Sequence, residues 1–202
     1  MEKASKTDGH VVREACDEDH RQLAQVLVDA FDGDPLSRWL RPDAQERRDR
    51  LGARFTEMLA RPSGDAIIET TDECAGVAIW RRPLAVLDWE APPGTRLEAA
   101  RFYAGVGAAA PPSPFWYLAY LAARVGGVGT GSALLRHGLA RVDGACALWT
   151  SNPENLGFYE RFGFAVAARH DAPGITAWWM TRGPRACDHD LAHVDFAASR
   201  PL

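Results

Sequence analysis

The chain has 202 residues, a formal net charge of −4 and 47% hydrophobic residues. This length and apolar content suit one domain with a substantial core, and the slight negative charge argues against nucleic acid as a partner. No apolar run is long enough to cross a membrane, the first residues lack a signal-peptide core, and the four cysteines form no C-x-x-C pair. We therefore expect a reduced, cytoplasmic protein without a metal site.

The first half of the chain predicts a strand, three helical segments, a hairpin and a fourth helix. Residues 1–9 are polar and expected to be flexible or to lead into the first strand, so we place a single domain at 10–185 and a loose tail at 186–202. The predicted elements are a strand at 10–15, helical segments at 17–31, 36–40 and 43–60, hairpin strands at 66–70 and 75–80, and a helix at 95–107. We interpret 83–94 as an ordered loop. The arginines of the 43–60 helix are interpreted as a solvated face: Arg47, Arg48, Arg50 and Arg54.

The second half contains the stretch around which the fold is organised. An apolar, aromatic-rich run at 115–123 has strand length, and apolar residues at helical spacing predict a helix at 132–142. A buried strand follows at 145–150, and Asn152 with Pro153 opens a short helix that Gly163 ends. Strands at 164–169 and 176–182 complete the pattern. This order predicts an α/β or α+β layered domain with a mixed sheet and helices on its faces.

Four glycines crowd the six positions between the 115–123 strand and the next helix: Gly126, Gly127, Gly129 and Gly131. Glycine tolerates positive φ, so successive N–H groups can point into one concavity. The following helix adds its unpaired N–H groups and the positive end of its dipole. The turn therefore predicts a phosphate or pyrophosphate site. A tight strand–helix turn without a ligand is the alternative.

Two common phosphate-binding motifs fail on spacing. A Walker loop requires Lys and then Ser or Thr after its last glycine, whereas Ser132 and Ala133 follow Gly131. A Rossmann turn requires G-x-G-x-x-G, and counted from Gly127 its last position falls on Ser132. The turn thus belongs to neither class.

The segments GTGSALL and SNPENLGFYERFGF, each following an apolar strand, resemble the GCN5-related N-acetyltransferase (GNAT) superfamily. The family's loop, Q/R-x-x-G-x-G/A, is matched at 126–131, with Gly126 in place of Gln or Arg and Val128 where a basic residue is usual. Its N-x-x-x-Y motif falls on Asn155 and Tyr159. The segments AFDGDP, VAIWRRP, FWYLAYL and WMTR are similar in order and spacing to the puromycin N-acetyltransferase subfamily and its actinobacterial relatives. The resemblance covers roughly residues 11–185.

This resemblance implies a mostly antiparallel sheet splayed between its fourth and fifth predicted strands, with acetyl-CoA as co-substrate. The pantetheine arm would lie in the splay and pair with strand backbone, which has unpaired N–H and C=O groups there. Since basic loop side chains are absent, backbone N–H groups would be the main phosphate donors. The implied cofactor-binding residues are Leu121, Ala122, Ala123, Gly126, Gly127, Val128, Gly129, Thr130, Gly131, Ser132, Asn155 and Tyr159.

Acetyl transfer to nitrogen requires a neutral amine and a stabilised oxyanion, and protonation of the departing thiolate assists it. The resemblance places Tyr159 beside the cofactor sulfur as general acid; the alternative is an amphipathic-helix residue among aromatic neighbours. Tyr120 is the second catalytic candidate, because it sits where a polar residue could face the acceptor. The sequence does not identify the general base: Asp32, Asp34 or Glu69 could act through water, and an amine of low pKa needs no strong base.

The resemblance also implies an acceptor pocket opposite the cofactor arm, walled by Phe31, Asp34, Trp39 and Trp80. Asp34 could hold a cationic amine there. The expected function is acetyl-CoA-dependent N-acetylation of a primary amine on a small molecule, an antibiotic or a biosynthetic intermediate, by direct attack on the thioester. The alternatives are a non-catalytic domain that binds acyl-CoA or another ligand, and a protein or peptide N-acetyltransferase. We expect no nucleic acid or membrane partner, and a monomer or homodimer.

Overall fold

The computed structural model of the chain describes residues 5–7, 9–62, 66–82 and 96–184. Its strands form one sheet in the order β1-β2-β3-β4-β5-β6-β8-β7. The strands are β1 Ser5–Thr7, β2 His10–Glu14, β3 Ala66–Thr71, β4 Gly76–Arg81, β5 Trp116–Ala123, β6 Cys146–Thr150, β7 Ala165–Ala172 and β8 Ile175–Arg182. Neighbours pair antiparallel except β5 and β6, which are parallel. The predicted mixed, mostly antiparallel sheet is confirmed.

Helices cover both faces of this sheet. They are α1 His20–Asp32, α2 Pro35–Leu40, α3 Ala44–Ala60, α4 Leu97–Ala108, α5 Thr130–Arg141 and α6 Leu156–Glu160, with 3₁₀ turns at Asp17–Asp19 and Pro153–Asn155. Helices α5 and α6 pack on one face, here called the α5 face, and α1, α3 and α4 pack on the opposite face. Aspartate side chains cap two of the helices: Asp34 accepts from the Leu36 N–H (2.9 Å) at α2, and Asp43 from the Glu46 N–H (2.8 Å) at α3.

Strand β1 lies within the polar segment 1–9, which the sequence predicts to be flexible or to lead into the first strand. Ser5–Thr7 pairs antiparallel with β2, so that the strand lies at the edge of the sheet. Gly9 in the connecting turn has φ = 85°, and the sequence before it supplies an aspartate, which together make the D-G hairpin signal. That signal spans only two residues, and the pattern of hydrophobic residues does not reveal it. Residues 1–4, the predicted loop at 83–94 and the predicted tail at 186–202 lie outside the described residues.

The sheet opens between β5 and β6. These strands pair only at Trp116–Cys146 and Tyr117–Ala147; beyond that point β5 stays with β4, and β6 with β8. The opening between residues 118–123 and 148–150 is called the sheet gap below. It is the splay expected between the fourth and fifth predicted strands.

A β-bulge at Ala119 decides which side chains of β5 face which layer. The register passes from Tyr120 opposite Ile79 to Leu118 opposite Trp80, so that Ala119 is the extra residue. Leu118 packs under α5, whereas Tyr120, two positions on, packs with α1 and α3. Residues two apart in a regular strand share a face, so the bulge is what turns Tyr120 away from the α5 face.

The arginines of α3 do not form one solvated face. Arg47 is buried and its Nε donates to Asp32 Oδ1 (2.9 Å), while Arg48 Nη2 lies 2.7 Å from Asp29 Oδ1. Asp29 and Asp32 are three residues apart on α1 and therefore face α3 together. The pairing of acidic residues on α1 with arginines on α3 becomes visible only when the two helices are packed together, so the sequence of α3 alone could not predict it.

Candidate active site

The glycine loop, residues 124–129, leads from β5 into α5 and is open to solvent over residues 124–128. Gly127 and Gly129 adopt positive φ, 80° and 91°, which glycine allows without strain. His10 Nε2 donates to the Val128 carbonyl oxygen at 3.1 Å and holds that oxygen against β2. A Cβ built at Gly126 or Gly127 would meet no atom within 4 Å, so the loop borders free space.

The N-terminus of α5 faces this space. The first helical bond runs from the Ala133 N–H to the Gly129 carbonyl oxygen at 2.9 Å, and no side chain caps the helix. The N–H groups of Thr130, Gly131 and Ser132 precede that bond and have no partner within the helix. Thr130 is buried, whereas Gly131 and Ser132 are partly exposed. Loop and helix end together present a cluster of donors with the positive end of a helix dipole.

The free edge of β5 borders the sheet gap. Arg124 N donates to Ala75 O at 2.7 Å, toward β4. Because backbone groups of successive residues point to opposite edges of a strand, Ala122 also points to β4, whereas Leu121 and Ala123 point into the gap. The backbone of Ala122 thus pairs with β4. Of the three residues expected to pair with the pantetheine arm, Leu121 and Ala123 have backbone groups that point into the gap.

Tyr159 lies on α6 and is only 9% exposed. Burial raises the pKa of its phenol, and the negative charge of Asp34 raises it further. The phenol therefore stays protonated throughout the pH range in which proteins are stable. Asn155 Nδ2 donates to Thr150 Oγ1 (3.3 Å), which ties the start of α6 to the end of β6 and so holds Tyr159 at the gap.

Asp34 approaches the same gap from the opposite face of the sheet. Besides capping α2, its Oδ1 lies 3.5 Å from Ser151 Oγ, directly after β6. Burial raises the pKa of Asp34, although the N–H groups of Leu36 and Ser37 and the Ser151 hydroxyl favour its charged form. No basic side chain among the described residues pairs with it. Asp34 is thus a partly buried carboxylate with no internal cation.

Three of the four tyrosines, Tyr103, Tyr117 and Tyr120, interact electrostatically beside the gap, whereas Tyr159 interacts with Asp34. Tyr117 and Tyr120 share one face of β5 because of the bulge, and Tyr103 on α4 interacts electrostatically with Tyr120. Arg54 on α3 donates from Nη2 to the Tyr120 hydroxyl at 2.7 Å. The opening therefore has a phenol-lined wall with an arginine at its α3 side.

The predicted acceptor-pocket residues separate into two groups. Phe31 packs edge-on against Tyr120, with ring centroids 5.6 Å apart, and Trp39 packs on Phe102 and donates to Pro173 O at 3.0 Å. Both lie on the side of the sheet where Asp34 lies. Trp80 does not: it is 0% exposed and packs under α5.

A Cβ at Gly138 of α5 would overlap the indole of Trp80, which shows how tightly the indole is enclosed. Trp80 is a core residue and does not line the predicted acceptor pocket. Its strand is buried on both faces, so alternation in the sequence could not tell which face the tryptophan takes.

Two of the three carboxylates considered as bases are engaged elsewhere. Asp32 forms ion pairs with Arg47 and Arg48. Glu69 is 0% exposed beneath α5, where His137 Nδ1 (2.8 Å) and Arg141 Nη1 (3.0 Å) donate to its Oε1. Only Asp34 stands at the gap. Sequence reasoning found Asp34 and Tyr159 but missed Arg54, Tyr103 and Ser151, whose positions depend on helix packing and carry no local motif.

Within the part of the chain that the structure describes, no three His, Cys, Asp or Glu side chains are grouped so as to hold a metal ion. The described helices are all too short or too polar to cross a membrane.

No family model matches the chain. Solved structures do resemble it. A histone acetyltransferase HPA2 and related acetyltransferase from Corynebacterium glutamicum is 26% identical, with a TM-score of 0.67 over 87% of this chain and 96% of that chain. The PaiA N-acetyltransferase from Thermoplasma acidophilum, in complex with coenzyme A, is 13% identical, with a TM-score of 0.53 over 85% and 97%. The ribosomal-protein-S18-alanine N-acetyltransferase from Escherichia coli is 13% identical, with a TM-score of 0.54 over 87% and 94%.

The chain therefore has the GNAT fold. The likeness supports an N-acetyltransferase in general and names no acceptor for this chain.

Proposed function

We propose that the protein is an acetyl-CoA-dependent N-acetyltransferase whose acceptor is the amine of a small molecule. The observation that carries the proposal is the convergence on one sheet gap of an uncapped helix N-terminus, Tyr159 and Asp34. The finer assignment, an antibiotic or a biosynthetic intermediate as acceptor, rests on the sequence resemblance to the puromycin N-acetyltransferase subfamily.

The residues present suit acetyl-CoA as the donor of the acetyl group. A diphosphate needs several N–H donors, a positive field and room, and the glycine loop with the N-terminus of α5 supplies all three. The N–H groups of Gly131 and Ser132 and those of the loop would hold the phosphates, and the gap-facing backbone of Leu121 and Ala123 would hold the extended arm. When bound, acetyl-CoA supplies an activated acetyl group as a thioester.

The chain's own residues then have separate roles. A backbone N–H of β5 in the gap donates to the acyl oxygen as negative charge develops there. Tyr159, kept protonated by burial, donates its phenolic hydrogen to the departing sulfur. Asp34 attracts the ammonium form of the acceptor, and its carboxylate accepts the first proton, directly or through one water, so that the neutral amine can attack the thioester. The second proton leaves the nitrogen after attack and passes to water, from which Tyr159 regains its phenolic hydrogen.

A first experiment separates binding from turnover. Acetyl-CoA at millimolar concentration should raise the thermal midpoint, because a ligand of the folded state stabilises it. Thiol release should then be seen with acetyl-CoA and members of a panel of primary amines. Binding without turnover of any amine would point to a non-catalytic domain, and turnover of peptides alone would overturn the small-molecule acceptor.

The role of Tyr159 has its own test. Tyr159→Phe keeps the buried ring and removes the hydroxyl, so kcat should fall about 10²-fold while the KM for acetyl-CoA changes little. A rate within a few fold of wild type would exclude the general-acid role. The thermal midpoint of the variant, measured alongside, shows whether the fold is intact.

A further inference from the structure

Arg54 occupies an unusual place for an exposed arginine of a helix. Its Nη2 donates to the Tyr120 hydroxyl at 2.7 Å, and its guanidinium lies 5.9 Å from the centre of the Tyr120 ring. The Tyr120 ring is itself fixed edge-on between Phe31 and Phe55, at 5.6 and 5.4 Å. The guanidinium is therefore held at the mouth of the phenol-lined wall rather than free to move in solvent.

The charge of Arg54 is not balanced within the described structure. Its interactions there are with phenols, Tyr120 and Tyr103, and no carboxylate of the described residues forms an ion pair with it. Two phenols occupy at most two of the five N–H donors of a guanidinium. The remaining N–H donors can bind a further acceptor, and a guanidinium can bind a carboxylate through two parallel hydrogen bonds.

The neighbouring arginines of α3 behave differently. Arg47 is paired with Asp32, and Arg48 with Asp29 and Asp32. Helix α1 thus provides acidic partners for the arginines of the α1–α3 contact, whereas no carboxylate among the described residues pairs with Arg54 beside the gap.

A charge of opposite sign lies across the same cluster. Burial raises the pKa of Tyr103, and both the positive Arg54 and the negative Asp34 act on it. Tyr103 therefore lies within electrostatic range of both Arg54 and Asp34. An acceptor in this opening meets a carboxylate at the Tyr159 end and a guanidinium at the Tyr120 end.

We propose that the acceptor carries a carboxylate as well as the reacting amine, and that Arg54 binds this carboxylate while Asp34 receives the amine. Arg54 is then the specificity-determining residue of the acceptor site. The inference rests on the proposed N-acetyltransferase function and names the chemical class of its substrate: an amino acid or similar zwitterion.

The first test uses the unmodified protein and matched pairs of amines. Suitable pairs are 4-(aminomethyl)benzoate with 4-(aminomethyl)benzamide, and 5-aminopentanoate with its amide, since the acid group is remote enough to leave the amine pKa nearly unchanged. The expected result is a kcat/KM about 10- to 100-fold higher for the carboxylate member of a pair. Equal turnover of both members, or a preference for the amides, overturns the proposal while leaving N-acetyltransferase activity established.

Variants then assign the preference to Arg54. Arg54→Gln should lower kcat/KM for the carboxylate about 10- to 100-fold, mainly through KM, and change that for the amide less than about threefold. Arg54→Lys keeps the charge but not the paired donors and should lose roughly 3- to 10-fold. Arg50→Gln, on the same helix and exposed, is the matched control and should behave as wild type.

Three further outcomes remain decisive. If Arg54→Gln lowers kcat/KM equally for both members of a pair, Arg54 only supports Tyr120 and the proposal is wrong. If Arg54→Gln does not fold, Arg54→Lys and the wild-type preference decide it. If acetyl-CoA binds but no amine is turned over, the proposed function fails by itself. The inference is then judged by whether 4-(aminomethyl)benzoate raises the thermal midpoint of the acetyl-CoA complex more than its amide does.

Discussion

Two acidic side chains, Glu69 and Asp34, lie on opposite faces of the same sheet, and burial raises the pKa of both. Glu69 is closed in beneath α5, where His137 and Arg141 donate to one of its oxygens. Asp34 lies at the sheet gap and accepts from the backbone N–H groups of Leu36 and Ser37 and, at 3.5 Å, from a serine hydroxyl. Glu69 has an internal cation, Arg141, and no access to solvent. Asp34 has access and no internal cation among the described residues.

This difference separates a structural role from a functional one. Burying a carboxylate is unfavourable, and a protein offsets that with paired cations when the group serves only the fold. Around Glu69 the compensation is present, and the group links β3 to α5. Around Asp34 it is incomplete, so a cation from outside, such as an ammonium ion, would complete it. Burial raises the pKa of both carboxyl groups, so that their partners and their access to solvent are what distinguish them.

The largest effect is expected for Asp34→Asn. Asparagine caps a helix as well as aspartate and has nearly the same shape, so the variant removes the charge and leaves α2 in place. We expect kcat/KM for an amine to fall about 10²- to 10⁴-fold, because both the attraction of the ammonium and the acceptance of its proton are lost. Steady-state kinetics with acetyl-CoA held saturating measure this.

Asp43→Asn is the matched control, since Asp43 caps α3 in the same manner, with Oδ1 2.8 Å from the Glu46 N–H. It lies at an exposed helix start and should leave kcat/KM within about twofold. If the two variants lost activity equally, capping rather than charge would explain the result, and the contrast between Asp34 and Glu69 would lose its basis.

The second expected effect is on stability and falls on Glu69. Glu69→Ala leaves His137 and Arg141 without their shared acceptor and opens a cavity, so the free energy of unfolding should drop by roughly 2–4 kcal/mol. The thermal midpoint would fall by roughly 4–16 °C. At temperatures where the variant remains folded, kcat/KM should stay within about threefold of wild type. Loss of activity in a fully folded Glu69→Ala protein would contradict the assignment of a purely structural role.

Sequence patterns were sufficient for the order of elements from β2 onward and for the parts of the site that carry local signals. The glycine loop, the Asn152 cap with Pro153 and the D-G-D-P turn each depend on chemistry within a few residues, so they could be predicted. Residues on opposite sides of a bulge, or on different helices, carry no such signal. Tyr120 faces the gap only because Ala119 is extra, and Arg54 reaches Tyr120 from 66 positions away.

The errors have a common physical origin. Trp80 and Glu69 were both considered for the site, and both lie under α5. Strand β4 is buried at Gly76–Trp80, with only Arg81 half-buried, so its two faces cannot be told apart by polarity. Periodicity shows which residues share a face, and it does not show which helix covers that face.

The smallest effect concerns stability at Asp34 and has the opposite sign to that at Glu69. Because the pKa of Asp34 is raised in the folded protein, the folded state keeps its proton at pH values where the unfolded chain, with a value near its ordinary one, has released it. Wild-type stability should therefore fall as pH rises through the interval between the two pKa values, and the full loss should persist above it. Asp34→Asn has no proton to lose there. Its thermal midpoint should match wild type in acid below that interval and exceed it by a few degrees at most near neutral pH.

Melting curves of wild type, Asp34→Asn and Asp43→Asn across the acid-to-neutral range measure this difference, with Asp43→Asn correcting for the exchange of one cap for another. A variant that is more stable yet much less active would mark Asp34 as a group kept at some expense of stability for binding and proton transfer. A midpoint for Asp34→Asn that falls below wild type at neutral pH would show that the Asp34 carboxylate is already compensated within the protein. Asp34 would then resemble Glu69, and the case for an ammonium ion beside it would fail.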